Sequence, residues 1–285
     1  MTISAASSAR RLAGDSPSGP SSPKPTIVSQ LPLSTGPILL ILGGTTEARA
    51  LAQSVAEADF AAIYSYAGRT VSPEPLPVPT RIGGFGGAEG LARYIRDSGI
   101  THIIDATHPF ARIMSRNAAL ACVETGVPLI ALTRPAWTPV NGDIWVHAPD
   151  MESAVDALDT EPQRIFLAIG RNVFGHFAAR PKHNYLLRLV DPPRTLPPLP
   201  DHHIVLDKGP FDLESDTALL QNHRIGLIVS KNSGGEGARA KLDAARALGL
   251  PVLMIDRPEM PERVEVTSVR EVMAWLTHPG TERGV

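Results

Sequence analysis

The stretch ILLILGGTTEARALA, residues 38–52, decides the fold class. Its first five residues are continuously apolar, which is typical of a strand covered on both faces. Gly43 and Gly44 form a turn, and Ala48 and Leu51 then follow at the spacing of one helix face. A buried strand that passes through glycines into a helix predicts the start of a parallel α/β sheet.

The same alternation of short apolar runs and helical patterns continues along the chain. It predicts an α/β protein with mainly parallel sheets. We expect two α/β layers of similar build joined around residues 135–160, and a single large sheet is the alternative. The expected divisions are a disordered tail at 1–36, an N-terminal domain at 37–140 and a C-terminal domain at 141–285. The predicted strands span 38–42, 61–66, 80–85, 101–105, 128–132, 164–170, 185–190, 203–207, 224–230 and 251–256.

Composition excludes several classes of protein. A chain of 285 residues that is 43% hydrophobic can bury ample core, and its net charge of −2 gives no general attraction to nucleic acid or anionic membranes. The single Cys122 excludes disulfides within the chain and multi-cysteine zinc sites, and it favours a reducing compartment. No apolar run approaches the roughly 20 residues that span a bilayer. We therefore expect a soluble, cytoplasmic protein.

The Ser- and Pro-rich tail is interpreted as an extended start, with a transit peptide as the alternative.

The turn after the first strand is typical of phosphate binding. Gly43 and Gly44 let a ligand approach the backbone, and the helix N-terminus offers N–H groups and a positive dipole end. Thr45 or Thr46 can cap the helix, with Glu47 in its first turn. An ordinary α/β turn with a capped helix is the alternative, because the third glycine of the dinucleotide-binding pattern is replaced by alanine.

The end of the second strand, YSYAGRT at 64–70, bears on the choice of cofactor. An acid at this point would bind the ribose hydroxyl of NAD, and none is present. Ser65 and Arg69, with Gly68 in the turn, are suited to a 2′-phosphate. The pattern favours NADPH, and a solvated loop charge at Arg69 is the alternative.

The segment DATHPFA, 105–111, follows a later strand of the same half. In open α/β sheets, ligands bind beyond the carboxyl ends of the strands. Pro109 fits the first position of a helix, so we expect His108 to cap that helix and to face the crevice. Asp105 and His108 are the candidate catalytic groups. A capping histidine without a catalytic role is the alternative.

Cations follow several strands of the second half. Arg171 and Lys231 each lie in a glycine-containing turn after a strand, Arg188 lies within a strand, and Lys208 follows one. Together they suggest a ligand with several carboxylates, and independent surface charges are the alternative.

Three enzyme classes lack their motifs in this chain. It contains no G-x-x-x-x-G-K-[ST] of P-loop enzymes and no G-x-S-x-G elbow of the usual α/β-hydrolases. None of its tyrosines is followed by lysine four residues later, as short-chain dehydrogenases require. Adjacent histidines at 202–203 point to opposite faces of an extended chain, so no metal site is expected.

Taken together, the motifs resemble one family, the precorrin-6A and cobalt-precorrin-6A reductases of cobalamin biosynthesis. The resemblance covers roughly residues 37 to 278, and its matching segments occur in the expected order. They are LILGGTTEARALA, YSYAGRT, DATHPFA, RPAW, AIGRNVF and SKNSGGEGARAKLDAARALGLPVLMIDRP.

The resemblance implies two Rossmann-like domains with the active site between them and exchange of a strand between the sheets. It also implies NADPH as hydride donor and precorrin-6A, a tetrapyrrole rimmed by carboxylates, as the substrate reduced to precorrin-6B. The turn at 43–47 would hold the pyrophosphate, while Thr107 and Phe110 would line the nicotinamide. The proton donor is His108, Asp105 or solvent, with solvent preferred. The expected substrate-binding residues are Arg171, Asn172, Arg188, Lys208, Lys231, Asn232 and Ser233.

Alternatives to this function remain open at the level of sequence. The first is a cobalt-precorrin-6A reductase that uses NADH. The second is a non-catalytic protein that binds a dinucleotide or a tetrapyrrole, and the third is a tetrapyrrole synthase of two similar α/β domains that needs no nucleotide. We expect a monomer or a weak homodimer.

Overall fold

We describe the protein from a computed structural model, which covers residues 36–66 and 75–277. The predicted tail, apart from its last residue, and the predicted cofactor residues Gly68 and Arg69 lie outside these ranges. The first half alternates strands and helices as the sequence predicts. Its elements are β1 (Ile38–Leu42), α1 (Thr46–Glu57), β2 (Ala61–Tyr66), β3 (Thr80–Ile82), α2 (Gly87–Asp97), β4 (His102–Asp105), α3 (Arg112–Thr125) and β5 (Leu129–Leu132).

The second half repeats this alternation and adds short elements that the sequence pattern does not predict, namely β6, α4 and β12. 3-10 helices lie at Arg171–Ala179 and Glu236–Ala238. The remaining elements are β6 (Ile144–Ala148), α4 (Met151–Asp156), β7 (Arg164–Ala168), β8 (Asn184–Leu189), β9 (His202–Leu206), α5 (Leu213–Asn222), β10 (Leu227–Lys231), α6 (Ala240–Leu248), β11 (Pro251–Ile255), β12 (Val264–Val266) and α7 (Val269–Thr277).

The strands form two separate parallel sheets, so the single-sheet alternative is wrong and the predicted fold class is confirmed. The first sheet has the order β12-β5-β4-β1-β2-β3, and the second has the order β6-β11-β10-β7-β8-β9. Counted from the far edge, the first five strands of each follow the order 3-2-1-4-5 of a doubly wound Rossmann sheet. The strand order therefore reverses between β1 and β4 in one sheet and between β7 and β10 in the other.

The sixth strand of each sheet pairs with a strand that is distant from it in sequence. β6 follows the first sheet in sequence but pairs with β11 in the second, and β12 follows the second sheet but pairs with β5 in the first. Helix α7 accordingly packs on α1. Residues 264–277, which the sequence pattern assigns to the C-terminal domain, therefore complete the first sheet. Two crossovers, 133–143 and 256–263, join the sheets.

Alternation along β1 shows how the first sheet buries both faces. Leu39 and Ile41 pack with residues of α1 and α7, whereas Leu40 and Leu42 pack with residues of α2 and α3. The side chains of β1 are at most 2% exposed beyond its first residue. This two-sided burial explains why the strand is continuously apolar. It also leaves only the strand ends accessible, which places the functional residues at the carboxyl edge.

No helix among residues 36–66 and 75–277 is both long and apolar enough to cross a membrane. Within the same residues, no group of three His, Cys, Asp or Glu side chains is arranged to hold a metal ion.

Candidate active site

The turn between β1 and α1 is held by Thr45, which is the cap of the helix. Its hydroxyl accepts a bond from the Ala48 amide at 3.1 Å and donates to the Ala106 carbonyl at 2.8 Å. The first bond satisfies one N–H of the helix terminus, and the second ties this turn to the one that follows β4. Thr46 is the first helical residue, and its amide and that of Glu47 belong to the first turn, whose donors have no partner within the helix.

Tyr64 supports the same turn, and the sequence patterns do not identify it. Its hydroxyl accepts a bond from the Gly44 amide at 2.8 Å. A Cβ atom at Gly43 would lie 2.0 Å from Tyr64 Cζ, so only glycine fits there. Gly44 has φ +120°, and a Cβ atom there would meet no other atom within 4 Å, so the turn is open to an approaching ligand. Burial raises the pKa of Tyr64 to about 12, so the phenol stays neutral.

Ser65, near the end of β2, is hydrogen-bonded to a buried arginine. Arg81 of β3 donates from Nη1 to Ser65 Oγ at 2.9 Å and to the Gly83 carbonyl at 2.9 Å. Its guanidinium lies 3.8 Å from the ring centroid of Phe85, and the side chain is only 6% exposed. Burial lowers the pKa of Arg81. No carboxylate within residues 36–66 and 75–277 forms an ion pair with Arg81, which leaves a buried positive charge beside the predicted 2′-phosphate position.

Asp105, a candidate catalytic acid, is a fully engaged carboxylate. Its Oδ1 accepts bonds from the Thr107 amide at 3.1 Å and hydroxyl at 2.7 Å, and its Oδ2 accepts from Arg263 Nη1 at 2.6 Å. The two charged side chains are 1% and 6% exposed. Because Arg263 directly precedes β12, this ion pair fastens the exchanged strand to the turn after β4.

His108 lies in a turn, and the expectation that it caps α3 is wrong. The helix begins at Arg112 with Ala111 at the cap, and Pro109 lies before it. The His108 Nδ1 accepts a bond from the Phe110 amide at 3.2 Å, which requires this nitrogen to be unprotonated. His108 is partly exposed, so it can still face a ligand at the crevice.

Phe110 reaches from the first half of the molecule to the second. Its ring packs against the core of the second sheet, and Lys231 Nζ lies 5.2 Å from the ring centroid. Lys231 ends β10, so the carboxyl edge at β4 lies against the carboxyl edge at β10. The reversal points of the two sheets therefore meet at one cleft, where ligands of such sheets bind.

The turn after β10 is bonded to both crossovers through Asn232 and Ser233, two of the predicted substrate residues. The Asn232 amide group exchanges two bonds with the backbone of Trp137, at 2.8 and 2.9 Å. The Ser233 carbonyl accepts from Arg134 Nε at 2.8 Å and from Arg257 Nη2 at 3.2 Å. The side chain of Asn232 thus holds this turn to the first crossover, and its predicted contact with the substrate stays a prediction.

The residues that make these bonds lie in the RPAW and DRP segments, and the sequence patterns miss them as site residues. Arg134 also pairs with Glu47 at 3.3 Å, so it links the first turn of α1 to the turn after β10. A Cβ atom at Gly234 would lie 2.1 Å from the Pro135 carbonyl oxygen, which shows how closely the two segments pack. The only sequence signal for these residues is their presence among the motifs of the family.

The other predicted cations are spread along the carboxyl edge of the second sheet. Arg171 and Lys208 are exposed, next to the ends of β7 and β9. Arg188 is instead bound to the buried Asp216, and its guanidinium lies 3.5 Å from the ring centroid of Phe211. With about 4.8 Å between neighbouring strands, the edge from β10 to β9 spans roughly 15 Å. Asn172 is exposed beside Arg171.

Comparison with known proteins identifies the family. The sequence model of the family described as Precorrin-6x reductase CbiJ/CobK matches residues 38–277. The chain belongs to this family. Precorrin-6A reductase of Rhodobacter capsulatus is 54% identical over 248 residues, which cover 87% of this chain and 99% of the relative. Cobalt-precorrin-6A reductase of Priestia megaterium is 30% identical over 255 residues, which cover 85% of this chain and 98% of the relative.

A solved structure of the family agrees with the fold. The structure described as CobK precorrin-6A reductase has a TM-score of 0.82 and 54% identity, and the match covers 87% of this chain and all of that one (100%). The resemblance inferred from the motifs is thereby confirmed.

Proposed function

We propose that the protein reduces precorrin-6A to precorrin-6B in cobalamin biosynthesis, with NADPH as the hydride donor. One observation carries this proposal. The turn after β4, which Thr45 bonds to the dinucleotide-type turn at β1, contacts the cation-bearing edge of the second sheet through Phe110 and Lys231, in a chain of the precorrin-6x reductase family. A reductase of a polycarboxylate needs both parts in one cleft.

The residues of the first sheet fit a dinucleotide. Gly44 leaves open space at the turn, and the first-turn amides of α1 provide donors for a pyrophosphate. When bound, NADPH supplies a hydride. The chain itself contributes alignment and exclusion of water, which are the main requirements of hydride transfer. Buried Pro109 and the Phe110 ring close the cleft beside the nicotinamide position.

Arg81 supports NADPH over NADH. A guanidinium that is 6% exposed and has no carboxylate partner among the described residues is compensated best by an anion. Its contact with Ser65 puts it at the end of β2, where the ribose of a dinucleotide binds to a Rossmann sheet. We propose that Arg81 and Ser65, together with Gly68 and Arg69, form the 2′-phosphate site.

The cofactor assignment is tested by titration of the Arg81→Gln variant with both nucleotides. A charge-assisted bond contributes about 1.5–3 kcal/mol, so the Kd of NADPH should rise roughly tenfold or more. The Kd of NADH should change less than about threefold, and this binding also reports that the variant is folded. An equal loss for both nucleotides would remove the 2′-phosphate assignment. Arg69→Ala provides the same comparison at the position proposed from the sequence.

The hydrogen bonds of Asp105 and His108 bear on which group donates the proton to the substrate. Asp105 has both carboxylate oxygens engaged and an arginine partner, so we do not propose it as the acid. His108 and solvent remain, and we propose solvent because the bond at His108 Nδ1 requires an unprotonated nitrogen.

We propose the metal-free substrate from the sequence identities of the chain. It is 54% identical to a precorrin-6A reductase and 30% identical to a cobalt-precorrin-6A reductase. Steady-state oxidation of NADPH, measured side by side with metal-free and cobalt-containing precorrin-6A, tests this choice. We expect a higher kcat/KM for the metal-free macrocycle. The reverse order would assign the cobalt-containing substrate, and no oxidation with either would exclude the proposed reaction.

A further inference from the structure

A small cavity lies between the second crossover and the turn after β4. Its volume is about 200 Å³. Thr133, which follows β5, and Glu265 of β12 line it, whereas the second crossover contributes Arg257, Met260 and Arg263. Buried Pro109, next to His108 in sequence, also lines it. None of the sequence motifs assigns a ligand to this place.

Two arginines and two carboxylates lie at or beside the cavity, and both carboxylates are bound to the same arginine. Arg263 is neutralised by Asp105 at 2.6 Å and Glu265 at 3.0 Å. Arg257 donates only to backbone carbonyls, those of Asn232 and Ser233, and no carboxylate in the described part of the chain forms an ion pair with it. Burial, and next the charge of Arg134, lower the pKa of Arg257, and the charge of Glu265 opposes them. A partly buried guanidinium in these surroundings favours an anionic ligand.

The volume of the cavity suits a side chain of a ligand better than a complete ligand. Sites for complete small molecules occupy about 300–1,000 Å³. At about 200 Å³ this cavity is too small for a macrocycle but can hold a short carboxylate chain.

The cavity lies at other strands of the first sheet than the proposed dinucleotide site. Along the first sheet the order is β3, β2, β1, β4, β5 and β12. The 2′-phosphate site is proposed at β2 and β3, and the pyrophosphate turn follows β1. The cavity lies at the ends of β5 and β12, beyond the β4 turn where the nicotinamide is proposed.

From these observations we propose that the cavity binds one carboxylate side arm of the substrate macrocycle, with Arg257 as its cation. This assignment rests on the proposed function and adds a contact from the first sheet to the cations of the second. The exchanged crossover would then be part of the substrate site as well as a connection between sheets.

A matched pair of variants tests the charge of the cavity. Met260→Glu puts an acid beside Arg257, whereas Met260→Gln removes the same thioether and adds a neutral group of equal size. We expect the Kd of precorrin-6A, measured by co-elution without NADPH, and its KM to be about tenfold higher for the Glu variant than for the Gln variant. Melting temperatures confirm that both are folded. Equal values in the two variants would overturn the assignment.

The source of the carboxylate is tested by NADPH titration of the same pair. Kd for NADPH should be the same in both variants within about threefold. If the Glu variant weakens NADPH instead of the macrocycle, the cavity binds a cofactor group, and the proposal is wrong.

A third measurement does not depend on turnover. Propionate, the fragment that carries the relevant chemistry, should shift the Arg257 side-chain N–H resonance of the wild-type protein, and propionamide should not. Absence of a propionate shift would overturn the cavity assignment even if the enzyme reduces precorrin-6A. A propionate shift without any reduction of precorrin-6A would leave the anion cavity standing and refute the proposed reaction.

Discussion

The buried ion pair between Asp105 and Arg263 gives a quantitative test of the site's architecture. Asp105→Asn keeps an oxygen for Thr107 but replaces the charged partner of Arg263 with an amide. Breaking a buried pair from one side costs about 3–5 kcal/mol because the other charge is left buried. Glu265, which is 47% exposed, remains bound to Arg263 Nε. We therefore expect a loss near the lower end, about 3 kcal/mol.

A second ion pair of the same length supplies the control. Arg96 and Glu124 also lie 2.6 Å apart, but their side chains are 54% and 46% exposed. Glu124→Gln should therefore lower the free energy of unfolding by no more than about 1 kcal/mol. Urea denaturation of both variants, followed by tryptophan fluorescence, compares two pairs that differ mainly in burial.

Activity and stability of Asp105→Asn, measured together, can refute the structural role of this carboxylate. If Asp105→Asn abolishes reduction while its free energy of unfolding stays within about 1 kcal/mol of wild type, the carboxylate acts in chemistry and our account of it is wrong. A second variant separates charge burial from other damage. Adding Arg263→Met to Asp105→Asn should recover part of the lost stability, because no uncompensated charge then remains.

Three further predictions concern the glycine turn after β1, the buried Lys241 and the proton donor. Gly43→Ala should prevent NADPH binding in a fluorescence titration and cost about 1–3 kcal/mol, because the new methyl group displaces Tyr64. Burial lowers the pKa of Lys241 from 10.5 to about 7, so the unfolded chain binds a proton that the folded one releases. Relative to Lys241→Met, the stability of the wild type should therefore rise by about 1.4 kcal/mol per pH unit from pH 7 toward pH 10.5, and a difference independent of pH in urea denaturation would contradict this. His108→Gln should lower kcat less than about tenfold with an unchanged pH profile, since a general acid would account for roughly a hundredfold or more.

Local patterns predict the elements that carry strong periodicity. β1 is apolar on both faces because helices cover both, and its glycine turn is required by Tyr64, so the sequence shows these features directly. β6 and β12 give no such signal. β12 has only three residues, and three of the five side chains of β6 are exposed at the edge of the sheet. Each pairs with a strand that is distant in sequence, β6 with β11 and β12 with β5, which no local pattern records.

The site is predictable only in part for the same reason. The turns at Gly43 and Asp105 follow buried strands and are identified by pattern, although the partner of Asp105 is not. Arg263 lies 158 residues away in an irregular crossover, and only the strand exchange brings the two together. Arg81 is missed because its strand is short, yet the register pairs it with Ser65. Motifs thus locate the edge of the sheet, while topology decides which charges meet there.

The measurement that tests the central claim most directly is isotope transfer in a single turnover. The protein is incubated with precorrin-6A and NADPH deuterated at nicotinamide C4, and the product is analysed by mass spectrometry. Our account predicts a reduced macrocycle that carries one deuterium from the cofactor and one hydrogen from solvent or His108. A macrocycle of unchanged mass, or a reduced product without deuterium when the deuteride of either face is supplied, would contradict it.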